Sequence, residues 1–138
     1  MSERAERITG RCLCGDVAYE AEPLSPSIDA CHCTSCRRWS GHYWASVNVE
    51  LSSLRFLRGE EHVTWFESSE LVRRGFCARC GSTLFWHPHR HPKHAHAIAV
   101  SAGSVDAPTG LRLTAHIFAD EQGDYYAIAD DVPKRPRF

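Results

Sequence analysis

Cys12-Leu13-Cys14-Gly15, near the start of the chain, and Cys77-Ala78-Arg79-Cys80-Gly81, about sixty residues later, are the stretches on which the fold turns. Between them lies Cys31-His32-Cys33-Thr34-Ser35-Cys36, so all seven cysteines fall in three tight clusters. Thiols one or two residues apart can aim at a common point, and a soft divalent ion of the zinc type takes up to four of them at about 2.3 Å. Two of the clusters end in glycine, which supplies the positive φ a backbone needs to fold its amides around one ion. The third does not. Cys12, Cys14, Cys77 and Cys80 therefore pair as a four-thiolate structural site. Cys31, Cys33 and Cys36 are left as a three-thiolate site with one open position, as a catalytic or substrate-binding metal requires. Spacing leaves a rival partition open, in which two or three of the central cysteines join one outer pair.

The same residues read poorly as a disulfide framework. Their number is odd, and one intervening residue would make a strained ring of Cys12 with Cys14 or of Cys31 with Cys33. The N-terminal stretch Met1-Ser2-Glu3-Arg4-Ala5-Glu6-Arg7 is charged and lacks the apolar run of a secretion signal, so reduced thiols and a cytoplasmic location are expected. With 138 residues and 43% hydrophobic side chains, the chain predicts a single domain over residues 1–138. Sixteen basic and seventeen acidic residues give a formal charge of -1. No bulk field then favours nucleic acid or an anionic membrane as partner. Nor does any apolar stretch approach the roughly 20 residues of a membrane helix. A zinc with four thiolates carries a formal charge of about -2 and one with three about -1, so cations are expected beside both sites.

Along the chain the dominant hydrophobic period is two. From His42 to Val49, Tyr43, Ala45, Val47 and Val49 face one way, with His42, Trp44, Ser46 and Asn48 opposite, as in a half-buried strand. Further strands are expected at Ile8–Arg11, Asp16–Ala21, Ser27–Ala30, Ser53–Leu57, His62–Glu67, Leu71–Phe76, Thr83–Trp86, Ala97–Ser101 and Leu113–Phe118. Gly15, Gly59, Gly81 and Gly103 mark tight reversals, with Arg58-Gly59-Glu60 as a hairpin tip. One short helix is expected at Thr34–Trp39. The reading is a mainly β domain whose metal clusters occupy turns, with Pro133–Phe138 as a tail.

The strings Thr9–Tyr19, Cys31–Arg37 and Phe76–Leu84 resemble the glutathione-dependent formaldehyde-activating enzyme family, which includes centromere protein V. Gly103–Pro108 and Ala115–Phe118 are similar to the family's later segments. The resemblance covers about residues 9–133. It implies an Mss4-like, mainly β fold of short antiparallel strands with zinc-binding turns. It further implies two zinc ions per chain: a structural one on Cys12, Cys14, Cys77 and Cys80, and a catalytic or labile one on Cys31, Cys33 and Cys36. The implied reaction is of the S-(hydroxymethyl)glutathione synthase type, a carbon-sulfur lyase chemistry that joins glutathione to formaldehyde or a related small aldehyde. Two features depart from the family pattern: Asp124-Tyr125-Tyr126-Ala127, where a tryptophan is frequent, and the histidine-rich insert His87–His96.

Ionisation limits a free thiol at neutral pH, its pKa lying near 8.5, and a metal with an open position removes that limit. Thiols nevertheless add to formaldehyde readily unaided. A non-catalytic zinc module that binds or carries glutathione, another small thiol or a macromolecular partner is therefore the alternative. Within the central cluster, His32 either shuttles the thiol proton or points away from the metal because both its neighbours point towards it. Arg37 and Arg38 are candidates for binding glutathione carboxylates, or else offset thiolate charge. Trp39, Tyr43, Trp44, Trp65, Phe85 and Trp86 are expected as core or pocket wall. The tract His87–His96 reads as an exposed loop with incidental metal affinity, and Lys134–Arg137 as solvated surface.

Overall fold

The structure, a computed structural model, describes residues 6–138; the charged residues 1–5 lie outside them. The fold is mainly β: β1 (Ile8–Arg11), β2 (Ala18–Ala21), β3 (Pro23–Cys31), α1 (Thr34–Ser40), β4 (Trp44–Glu50), β5 (Arg55–Arg58), β6 (Val63–Glu67), β7 (Arg73–Cys77), β8 (Thr83–His87), β9 (Ala97–Ser101) and β10 (Arg112–Ile117). They form a three-stranded sheet in the order β1-β2-β5 and a seven-stranded sheet in the order β10-β3-β4-β9-β8-β7-β6. Most pairings are antiparallel, as expected. The exception is β10, which runs parallel to β3, with Ile117 opposite Cys31.

The two sheets meet over an apolar core. Ile8, Tyr19 and Ala21 of the small sheet, with Val17 just before β2, pack on Val47, Val49, Leu84, Phe85, Ile98 and Val100 of the large one. Each large apolar side chain buried there contributes about 1.5–3 kcal/mol relative to exposure. Tyr19 lies edge-on to Phe85 at 5.7 Å and shares a hydrogen bond with the Ser104 hydroxyl at 2.5 Å, so its polar tip is satisfied. Its cross-strand partner is Gly10, where any Cβ would strike the tyrosine ring.

The opposite face of the large sheet is not solvent-exposed polar surface. Trp44 is 5% exposed and joins Cys31, Cys36, Ala99, Ala115 and Ile117 in a second apolar cluster, with Trp39, Trp86 and Phe118 against it. The two faces of β4 read from its alternation therefore serve two different interiors.

Three expectations need correction. Arg58-Gly59-Glu60 is not a hairpin tip: β5 pairs with β2, whereas β6 pairs with β7. Gly59 instead turns the chain from one sheet to the other at φ 77°, so close to the Asp16 carbonyl that a Cβ would not fit. The segment Pro133–Phe138 is not a free tail. The His116 amide donates to the Pro133 carbonyl and the Arg135 amide to the His116 carbonyl, both at 2.8 Å, and the Phe138 ring stands edge-on to Phe118. Gly103 also lacks the positive φ expected of it and lies in a 3-10 turn, Ala102–Ser104.

Candidate functional site

Two sulfur clusters form, and they divide the cysteines four and three. Cys12 and Cys14 sit in the β1–β2 turn, and Cys77 and Cys80 in the β7–β8 turn; the four sulfurs all lie within 4.8 Å of one another. Cys12 and Cys14 are 3.6 Å apart, Cys14 and Cys77 3.8 Å. A tetrahedron with metal–sulfur distances of about 2.3 Å has edges of about 3.8 Å, so the spacing suits one divalent ion. Both turns fold as the glycines predict. Gly15 and Gly81 adopt φ of 79° and 77°, and their amides donate to the carbonyls of Cys12 and Cys77 at 3.1 and 2.8 Å. The Val17 amide donates to the Cys12 sulfur at 3.3 Å. Burial alone would raise the Cys80 thiol, but the Ser82 hydroxyl, the amides of Cys14 and Ser82, and Cys77 bring it down to about 6. Arg58 donates to the Gly15 carbonyl at 2.7 Å, and Arg79 pairs with Asp16 at 3.6 Å, so cations do flank the cluster.

Cys31, Cys33 and Cys36 form the second cluster, their sulfurs again within 4.8 Å of one another. Strand β3 delivers Cys31, and Cys33 caps α1, its sulfur accepting from the Cys36 amide at 3.3 Å. The three thiols share protons unequally. Hydrogen bonds from Cys31 and Cys36 hold Cys33 far below the usual thiol range, to about 2, while the same contacts and burial push Cys31 up. Three sulfurs converging on one point suit a cation, and three sulfur donors leave one position of a tetrahedral ion unfilled.

This cluster lies in the wall of a cavity of about 350 Å³. Its floor follows from strand register. Asn48 of β4 stands opposite Ala99 of β9, Ala99 opposite Trp86 of β8, and Trp86 opposite Arg74 of β7, so the four make one row across the sheet. Phe118 and Phe138 close one side. Arg74 is 6% exposed, and its Nη1 donates to the Cys36 sulfur at 3.5 Å. The sequence carried no sign of this role, because only register brings position 74 to Cys36.

The other candidates sit elsewhere. His32 is not among the residues lining the cavity. Its ring is fully buried, with Nδ1 2.7 Å from the Tyr126 hydroxyl and Nε2 2.8 Å from His116 Nδ1; His116 in turn reaches Asp130 at 3.0 Å. Burial first, then the neighbouring His116, lowers the His32 pKa to about 4, so it stands neutral. The reading in which it points away from the metal is the one the geometry matches. Arg37 donates through Nε to the carbonyls of His32 and Glu121, both at 3.2 Å, and Arg38 is exposed; neither lines the cavity. Trp44 and Trp86 are cavity wall, while Phe85 is core and stacks with Trp65. The tract His87–His96 connects β8 to β9. His87 is buried and bonds the Ala95 carbonyl at 3.0 Å, and His89 and Arg90 face Glu67. Among the described residues its histidines form no cluster close enough to hold a metal.

The family model described as glutathione-dependent formaldehyde-activating enzyme matches residues 7–121. An uncharacterised lyase of Schizosaccharomyces pombe is 28% identical over 122 residues, which is 88% of this chain and 85% of that protein. The crystal structure of a Rhodobacter sphaeroides protein superposes with a TM-score of 0.61 at 26% identity, covering 72% of this chain and 88% of the other.

Proposed function

Because this chain belongs to the glutathione-dependent formaldehyde-activating enzyme family, we propose that it is a carbon-sulfur lyase of the S-(hydroxymethyl)glutathione synthase type, working at Cys31, Cys33 and Cys36. The observation that carries the proposal is the convergence of these three sulfurs in the wall of a cavity large enough for a small thiol. Cys12, Cys14, Cys77 and Cys80 have the complement for a closed structural site, so a first zinc belongs there and a second at the trio. A metal at the trio would supply positive charge that keeps a substrate thiol ionised at neutral pH.

The chain's own residues do the rest. The apolar wall of Trp44, Trp86, Ala99 and Ile117 removes water from around the sulfurs, which strengthens every charge interaction there. Cys33 as helix cap and Cys31 at the end of β3 hold two of the ligands on regular elements, so the site is pre-ordered. In the reaction a sulfur–carbon bond forms, the aldehyde π pair moves to oxygen, and that oxygen takes up the proton the thiol gives away.

Exchange spectroscopy at equilibrium, with glutathione, formaldehyde and their adduct present, tests the proposal. Interconversion should exceed the uncatalysed rate, and Cys33→Ser should abolish the excess. Glutathione binding with exchange at the uncatalysed rate would instead make the protein a thiol carrier, and the catalytic reading would be wrong.

A further inference from the structure

Arg74 is a buried cation without a carboxylate. It sits mid-strand in β7, is 6% exposed, and among the described residues forms no ion pair. Its Nε donates to the Ser68 hydroxyl at 3.2 Å, its Nη1 to the Cys36 sulfur at 3.5 Å, and its guanidinium carbon lies over the Trp39 ring, 5.1 Å from the centroid. Nη2 makes no hydrogen bond among the described residues, although the side chain lines the cavity. Burying a guanidinium costs several kcal/mol unless its charge and donors are met. One sulfur contact and one hydroxyl meet only part of that requirement. Arg74 and Cys36 line the same cavity, the one an incoming thiol would fill.

We propose that Arg74 selects the substrate: the cavity takes a thiol bearing a carboxylate a few bonds from its sulfur, and Arg74 binds that carboxylate. The inference rests on the proposed function, since it requires the sulfur to enter beside Cys36. A guanidinium matches a carboxylate in planar, two-point fashion, which neither a hydroxyl nor a thiolate offers. Ser68 and Trp39 fix the fork from its other edge and from its face, so little order is lost on binding. A role confined to offsetting thiolate charge would strengthen metal binding but would not distinguish one thiol from another.

Calorimetric titration of the zinc-loaded protein with 3-mercaptopropionate and with its neutral amide separates these roles, with metal content checked in every sample. The acid should bind about tenfold or more tightly than the amide, as a charge-assisted hydrogen bond implies. In Arg74→Gln, which keeps a donor but loses charge and fork, the preference should fall to about threefold or less, with the amide's affinity nearly unchanged. Should that variant not fold, Arg74→Met serves, since it keeps an apolar stem and loses charge and donors alike. Equal binding of acid and amide by the parent overturns the role of Arg74 and leaves the thiol-binding function standing. A preference that survives in the variants overturns it too, because the metal itself would then be reading the carboxylate. Binding of neither thiol overturns this inference, and glutathione titrated in the same way then decides the proposed function, which fails only if glutathione does not bind either.

Discussion

His87 ends β8 inside the protein, 4% exposed, with Nε2 donating to the Ala95 carbonyl and Nδ1 3.5 Å from an Arg73 donor. Burial, which strips the ring of water, lowers its pKa below the ordinary value of 6.5. The folded chain therefore resists a proton that the unfolded chain accepts. Stability from this residue is complete above about pH 6.5 and is lost as pH falls below it. His87→Gln keeps a donor for the Ala95 carbonyl and removes the titration. Urea midpoints between pH 7.5 and 5.5 should fall less steeply in the variant than in the parent, thiol protonation being common to both; equal slopes would contradict the assignment. Residue-scale chemistry was legible in part. Cysteine spacing announced both sulfur clusters, because ligand pairing is local in sequence. Arg74 and the chain from Tyr126 through His32 and His116 to Asp130 were not legible, because their partners are 14 to 94 residues apart in sequence.

At the scale of elements, alternation found the strands but not their neighbours. Val47 and Val49 could be assigned to one face from the sequence, yet the burial of Trp44 on the other face depends on β3 and β9 lying beside β4. The prolines at 23 and 26 hid the first half of β3, since proline lacks a ladder donor, and the parallel pairing with β10 left no local trace. The C-terminal segment tests this scale. Arg135→Pro deletes the amide that donates to the His116 carbonyl at 2.8 Å, which should cost about 1 kcal/mol and loosen Phe138 from Phe118. Chemical denaturation with tryptophan emission from the cavity wall reads both effects. An unchanged midpoint with unchanged emission would return Pro133–Phe138 to the status of a solvated tail.

Across the whole molecule the two cysteine clusters differ in what they join. The four-cysteine cluster ties the β1–β2 turn of the small sheet to the β7–β8 turn of the large one, Cys14 and Cys77 being 63 residues apart in sequence. Metal binding of that kind contributes about 10 kcal/mol or more to small domains. The trio instead lies where β3 passes into α1, on the far side of the large sheet. Cys80→Ser should therefore lose its metal together with most of the folded state by circular dichroism, whereas Cys36→Ser should stay folded. Equal unfolding of both would remove the distinction. Fold class was legible from the two-residue hydrophobic period, but the division into two sheets was not, because Gly59 reads equally as a hairpin tip and as a crossover.

Native mass spectrometry of the zinc-loaded protein with glutathione tests the unequal sites in one observation. The account predicts a chain carrying two zinc ions and one glutathione, and a Cys33→Ser chain that keeps one zinc and loses the glutathione. A parent chain with a single zinc, or glutathione retained by Cys33→Ser, would contradict it.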